Sequence, residues 1–199
     1  WFRALALTAP LAVKSTGPKP NATNWAIDGT VEYTFPGTQF TEGKTVKVTW
    51  YDGATRPPAE VMALVGGKPP GQGNIIIGTE GVLFEGEAYC ASPVIYHLAR
   101  FNDVKKSMGQ GKINKTEPRS THPNQPQQEW THAIKNGLRT SSAFEYSVPL
   151  TEFVLLGNLA IRSGETVEWD ARAMRVTNVP GANRHVRRSA YRKGWDFGV

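Results

Sequence analysis

The chain contains one cysteine, Cys90, among its 199 residues. A single cysteine excludes both an intramolecular disulfide framework and a zinc site built from several cysteines. The sequence also lacks any apolar run approaching the roughly 18 to 20 residues that a membrane-spanning helix requires. Apolar residues make up 39% and charged residues 20% of the chain, and this ordinary globular composition excludes extensive disorder.

Motifs of self-contained catalysis are missing as well. No Gly-x-Gly-x-x-Gly sequence follows a predicted strand, so the chain has no dinucleotide-binding fingerprint. A Gly-x-Ser-x-Gly motif is absent, and Cys90 has no context typical of a nucleophile. The histidines, which show no metal-ligand spacing, are His97, His122, His132 and His185. We therefore assign no catalytic, cofactor-binding or metal-ligating residue within this chain.

The positive charge is concentrated at the C-terminal end. The net charge is +6, and residues 184–199 contribute +4 of it through five basic residues and one acidic residue. A basic segment can bind phosphate groups, which leaves nucleic-acid binding as one alternative function. Val186, Tyr191 and Trp195 interrupt the basic residues, and such apolar side chains favour docking against a protein surface. The aromatic motif of RNA-recognition domains and the spacing of zinc fingers are absent, so nucleic-acid binding is disfavoured.

Two stretches of the chain alternate strictly between polar and apolar residues. In residues 30–35 the side chains of Val31, Tyr33 and Phe35 share one face, and residues 45–51 follow the same pattern. This period of two predicts half-buried strands of an antiparallel sheet. Shorter segments that read as further strands are residues 11–15, 74–77, 81–84, 165–169 and 175–179.

Helical periodicity is confined to the second half of the chain. It predicts one helix over residues 127–136, ended by Gly137, and a mostly buried helix over residues 150–163, ended by Gly164. Residues 102–127 are polar and rich in proline, which predicts a long loop. The order of elements predicts an α+β fold with a mostly antiparallel open sheet and helices packed on one face.

Several segments together resemble the C-terminal domain of the Gfo/Idh/MocA oxidoreductases, in particular their bacterial branch. The segments that carry the resemblance are residues 49–53, 77–82, 128–137, 141–146, 149–164, 167–170, 176–178, Arg187-Arg188 and 191–195. These segments follow one another in order from residue 49 to residue 195, and we take the resemblance as a whole to extend over essentially all 199 residues. In this family a dinucleotide-binding domain precedes the C-terminal domain in the chain. The enzymes transfer hydride between a nicotinamide and the carbon that bears a hydroxyl group of a sugar, inositol or related polyol.

The resemblance has consequences for the domain organisation. The family's catalytic lysine, in a Glu-Lys-Pro segment, and its histidine at the domain junction have no counterpart in this sequence. Residues 1–7 read as the end of a helix broken off upstream, stopped near Pro10. We therefore expect residues 1–199 to form a single C-terminal substrate-binding and oligomerisation domain. The N-terminal dinucleotide-binding domain and its NAD or NADP would lie outside this chain, which alone would be inactive and bind no cofactor.

A sheet domain of this kind can supply the wall of a substrate pocket, with polar groups for hydroxyls. The candidates are Tyr51 and Asp52 after a predicted strand, Arg119 and His122 in the long loop, and Asn158 on the last helix. A structural role as turn former, capping group or solvated side chain stays open as the alternative for each.

The expected partners follow from the same resemblance. They are the chain's own N-terminal dinucleotide-binding domain and further copies of the chain, which would pair through the outward faces of residues 30–35 and 45–51. We expect no membrane partner. The alternative function is a stand-alone carbohydrate-binding module without catalysis. The compartment stays open between cytoplasm and periplasm, because a targeting signal would precede residue 1.

Overall fold

A computed structural model describes residues 1–25, 27–67, 71–87, 93–97, 100, 102–103, 120, 122, 124–187 and 190–195. Its elements, in chain order, are β1 (Ala12–Thr16), β2 (Thr30–Pro36), β3 (Thr45–Tyr51), α1 (Ala59–Ala63), β4 (Asn74–Ile77), β5 (Val82–Glu85), β6 (Val94–Tyr96), α2 (Pro126–Asn136), α3 (Phe144–Ser163), β7 (Val167–Asp170), β8 (Arg175–Val176) and a 3-10 helix (Pro180–His185). The predicted α+β fold with antiparallel sheets is confirmed.

The chain divides into two compact units. The first consists of Trp1–Thr55 and Phe144–Val199, and the second, Arg56–Ala143, is inserted between them in sequence. The interpretation of residues 1–199 as a single domain stays a prediction. Within the described ranges, no helix is both long and apolar enough to cross a membrane.

The first unit is built on a five-stranded antiparallel sheet with the order β3-β2-β1-β7-β8. Helix α3 packs on β1, β2 and β7 and covers one face of this sheet. The inward side chains of Val13, Val31 and Phe35 are buried beneath it. Since strand residues alternate between faces, Glu32 and Lys47 lie exposed on the opposite face. Homo-oligomerisation through that opposite face stays a prediction.

An aromatic cluster forms the centre of the first core, around Phe153 of α3. Its ring lies 4.5 Å from the ring of Tyr33, 5.6 Å from Phe35, 5.8 Å from Phe2 and 5.3 Å from Trp1, measured between centroids. The first residues of the chain contribute to this cluster as a hydrogen-bonded turn, in place of the helix end that we predicted. The turn is therefore fixed by burial of its aromatic side chains as well as by its hydrogen bonds.

The second unit has a smaller core. Strands β4, β5 and β6 form an antiparallel sheet, and Met62, Val65 and Val82 are the buried side chains of its hydrophobic cluster. Helix α2 ends at Gly137, which adopts the left-handed conformation with φ 62° that favours glycine at this position. The predicted C-terminus of this helix is confirmed.

Candidate functional site

A cleft of about 230 Å3 opens in the first unit between α3 and the inward face of the sheet, and we call it the α3 cleft. Its lining combines aromatic side chains, small residues and a few polar groups from three strands, the segments that follow β1 and β3, and the helix. The lining residues are Ser15, Pro18, Trp25, Gly29, Val31, Tyr33, Trp50, Asp52, Phe153, Val154, Gly157, Asn158 and Ile161.

The floor of the α3 cleft follows from strand register. Ser15 of β1 pairs with Val31 of β2, and Val31 pairs with Trp50 of β3, so the three side chains share the face that looks toward α3. Helix α3 presents Gly157, Asn158 and further residues from neighbouring turns as the facing wall. The cleft is thus held by a sheet and a helix, two elements of regular structure.

Tyr33 places a hydroxyl group at the boundary between the core and the α3 cleft. The residue is only 4% exposed, and its hydroxyl lies against Gly157, where a side chain would overlap it. Burial raises the pKa of the Tyr33 hydroxyl well above its ordinary value, which keeps it neutral. In the described part of the chain this hydroxyl has no hydrogen-bond partner. The Tyr33 hydroxyl is therefore able to donate and accept a hydrogen bond with a ligand in the cleft.

Asp52 is held at the end of β3 by its backbone. Its N–H donates to the carbonyl of Gly29 at 2.9 Å and to Oγ1 of Thr55 at 3.0 Å. Its carboxylate is exposed and has no ion-pair or hydrogen-bond partner among the residues that the structure describes. The side chains of Asn158 and Ser15 likewise have no hydrogen-bond partner among the described residues. Four polar groups therefore reach one cleft with their hydrogen-bonding capacity unused.

Two tryptophans border the α3 cleft with partly exposed rings, Trp25 at 43% and Trp50 at 55%. The guanidinium of Arg162 lies 4.8 Å from the centroid of the Trp25 ring and donates a hydrogen bond to the carbonyl of Asn21 at 3.4 Å. The Asn21 side chain in turn accepts hydrogen bonds from the backbone N–H groups of Thr23 and Asn24. These contacts fix the loop that carries Trp25 against α3.

The structure brings two of the five predicted site residues together. Asp52 and Asn158, which are far apart in sequence, both line the α3 cleft. Tyr51 pairs with Thr30 and lies on the opposite face of the sheet from Trp50, away from the cleft. Arg119 lies outside the described residues, and His122 belongs to the second unit.

His122 takes part in a polar cluster around α2. Its ring lies 5.0 Å from the ring of His132, and its charge helps to lower the pKa of Glu129. The larger causes of that lowering are hydrogen bonds, first from the backbone N–H of Ser141 at 2.6 Å and then from Oγ of Ser120 at 2.9 Å. The Glu129 carboxylate thus ties together the two segments that flank α2. The substrate-binding role of His122 stays a prediction.

Among the described residues, no group of three or more histidine, cysteine, aspartate or glutamate side chains is placed to hold a metal ion. The α3 cleft contains one ionisable carboxylate, and one carboxylate is fewer ligands than protein metal sites commonly supply.

Sequence reasoning missed Ser15, Trp25, Tyr33 and Trp50 as site residues. Tyr33 and Trp50 fit the alternation of buried strand positions, and nothing in that pattern separates a core residue from one that borders a cleft. Trp25 follows a loop of proline and asparagine residues, where a large aromatic residue has no packing role that the sequence reveals. An aromatic residue in such a loop is the signal that could have marked it.

A scan against protein-family models finds no match for this chain, and a comparison with curated proteins finds none either. The resemblance to the Gfo/Idh/MocA oxidoreductases therefore stays a prediction.

Proposed function

We propose that the chain is the C-terminal substrate-binding and oligomerisation domain of an NAD(P)-dependent oxidoreductase of the Gfo/Idh/MocA type, acting on a sugar, inositol or related polyol. The α3 cleft would be part of the pocket wall that this domain contributes. One observation carries the proposal: Ser15, Tyr33, Asp52 and Asn158 direct unpartnered polar groups, within the described residues, into a cleft bordered by two tryptophans.

The chemistry of the cleft suits a polyhydroxylated ring. Each hydroxyl of such a ring donates and accepts a hydrogen bond, and the hydroxyl of Tyr33, the carboxylate of Asp52 and the amide of Asn158 provide complementary groups. The apolar face of the ring can stack on Trp25 or Trp50. At about 230 Å3 the cleft lies below the roughly 300–1,000 Å3 of drug-sized sites, which favours one ring over an oligosaccharide.

A dinucleotide does not fit the α3 cleft. The volume is too small for two nucleotides, and the one charged lining side chain, Asp52, would repel a pyrophosphate. Alcohol oxidation also needs a base within roughly 3 Å of the hydroxyl proton and a hydride acceptor facing the carbinol carbon. In the proposal both come from the dinucleotide-binding domain, while this chain orients the substrate.

Ligand titration of the variant Trp50→Ala tests the cleft. Loss of the Trp50 ring is expected to weaken binding of myo-inositol or glucose by about tenfold, because ring stacking contributes about 1 kcal/mol. Affinities can be measured by NMR chemical-shift titration of the purified chain. Trp130→Ala is the matched control, since Trp130 is a similarly exposed tryptophan of the second unit and its loss should leave the affinity unchanged. Equal affinities of wild type and Trp50→Ala would contradict the proposed site.

The isolated chain is expected to reduce neither NAD nor NADP with any polyol, because in the proposal the nicotinamide is bound by the dinucleotide-binding domain. Absorbance of the reduced nicotinamide measures this, and detectable turnover would contradict the proposal. The stand-alone carbohydrate-binding module predicts the same inactivity, so reading the coding sequence upstream of Trp1 separates the two functions. An in-frame Gly-x-Gly-x-x-Gly and Glu-Lys-Pro support the oxidoreductase, and a start codon directly before Trp1 supports the module.

A further inference from the structure

The α3 cleft has an uncompensated negative charge. Among the lining residues that the structure describes, Asp52 is the only acidic one, and none is a lysine, an arginine or a histidine. The basic residue Arg162 directly follows the lining residue Ile161, and its guanidinium contacts the Trp25 ring and the Asn21 carbonyl. The other polar groups, on Ser15 and Asn158, carry no charge that could offset the carboxylate.

The aromatic lining has the same electrostatic sign. Trp25, Tyr33, Trp50 and Phe153 all line the cleft, and the faces of aromatic rings are the negative part of their quadrupoles. Tryptophan faces attract organic cations most strongly among the aromatic side chains. A carboxylate beside partly exposed tryptophans therefore favours a ligand with a positive charge and disfavours an anionic one.

We infer that the ligand of the α3 cleft carries a protonated amine beside its hydroxyl groups, as an amino sugar or an aminated cyclitol does. This inference rests on the proposed function, which places a polyol in the cleft. It further specifies that this polyol carries a positive charge. The ammonium group pairs with the Asp52 carboxylate next to the tryptophan faces. The hydroxyl groups are left to Tyr33, Ser15 and Asn158. Each unpartnered group of the cleft then has a ligand atom of matching chemistry.

Four sugars with one common ring test the inference on the full chain. Glucosamine, N-acetylglucosamine, glucose and glucuronate are titrated by NMR at about pH 6, where an amine is protonated. Glucosamine is expected to bind about tenfold more tightly than glucose, since an exposed ion pair and a cation–π contact add modest and separate contributions. N-acetylglucosamine should lose this advantage because its nitrogen is uncharged, and glucuronate should bind most weakly.

The variant Asp52→Asn separates the charge from the shape of the cleft. It is expected to bring the affinities for glucosamine and glucose within about twofold of each other, because the amide of the new asparagine has no charge to attract the ammonium group. Glu32→Gln is the matched control, because Glu32 is an exposed carboxylate on the opposite face of the sheet, and it should keep the preference.

The outcomes distinguish this inference from the function on which it rests. If glucose binds as tightly as glucosamine, or if Asp52→Asn keeps the preference for glucosamine, the inference of a positively charged ligand is contradicted. The proposed polyol site is not contradicted by either result. If none of the four sugars binds, both the polyol site and the inference fail.

Discussion

Replacing Phe153 by alanine is expected to lower the free energy of unfolding by about 3–5 kcal/mol. Phe153 is 2% exposed and contacts four other aromatic rings, so its removal leaves a cavity between α3 and the sheet. The surrounding rings belong to β2 and to the N-terminal turn, which cannot all move to fill it. Urea-induced unfolding followed by circular dichroism measures the change.

Phe144→Ala is the matched control for this effect. Phe144 is the first residue of the same helix and is 81% exposed, so its truncation should change the stability by less than about 0.5 kcal/mol. A loss of similar size in both variants, or a loss below about 1.5 kcal/mol for Phe153→Ala, would contradict a core centred on Phe153.

The second large effect is expected from Gly157→Ala. Alanine favours the helix by about 1 kcal/mol, whereas overpacking of a core costs about 1–3 kcal/mol. The steric overlap makes the net change destabilising, because the new methyl group would meet the Tyr33 hydroxyl and lie 3.6 Å from Cγ1 of Val31. Tyr33 cannot swing aside, since its ring packs on Phe153 and Phe35. We expect a net loss of about 1–2 kcal/mol in urea unfolding.

The double variant Tyr33→Phe, Gly157→Ala identifies the cause of that loss. Removing the hydroxyl removes the closest contact of the new methyl group, so the double variant should be more stable than the sum of the single effects predicts, by at least about 0.5 kcal/mol. Strict additivity, or a Gly157→Ala variant as stable as wild type, would show that the hydroxyl does not lie against α3 as described.

The strands of the first sheet were the most predictable part of the fold. Alternation sets the face of every residue in β2 and β3, and the predicted bounds 45–51 agree with Thr45–Tyr51. The pattern is strongest in β2, where Val31, Tyr33 and Phe35 are buried beneath α3 and the residues between them are partly or fully exposed. Strand β6, with three residues, is too short to show alternation.

The ends of elements were less predictable. Helix α3 begins at Phe144, six residues before the predicted start, and contains Pro149. The predicted start rested on the apolar periodicity from Leu150 onward, and the residues before it do not continue that pattern. Pro149 is the sixth residue of the helix, where a proline removes only one helical hydrogen bond. Strand β8 ends at Val176 because the side-chain amide of Asn183 bonds both the N–H and the carbonyl of that residue. A bond of this kind, formed with a residue seven positions away, leaves no periodic trace in the sequence.

The sequence could indicate individual residues of the candidate site but not which of them come together. Asp52 and Asn158 stand out as polar residues at the end of a strand and on a mostly apolar helix, and such positions can be recognised locally. Their convergence depends on the packing of α3 across β1 and β2, which only the tertiary structure fixes. Tyr51 and Trp50 are neighbours in sequence, yet a shift of one residue places them on opposite faces of the sheet.

The insertion of the second unit has a consequence for the order of events during protein synthesis. Strand β1 pairs with β7 through Val13 and Val167, so the sheet is completed by residues from opposite ends of the chain. A ribosome that adds about 5–20 residues per second needs roughly 5–20 s to translate Arg56–Ala143. During that interval β1, β2 and β3 have been translated, but α3, which covers the apolar face of β1 and β2, has not been made. The nascent chain thus passes through a stage that favours chaperone binding, and its first core closes only after translation of β7.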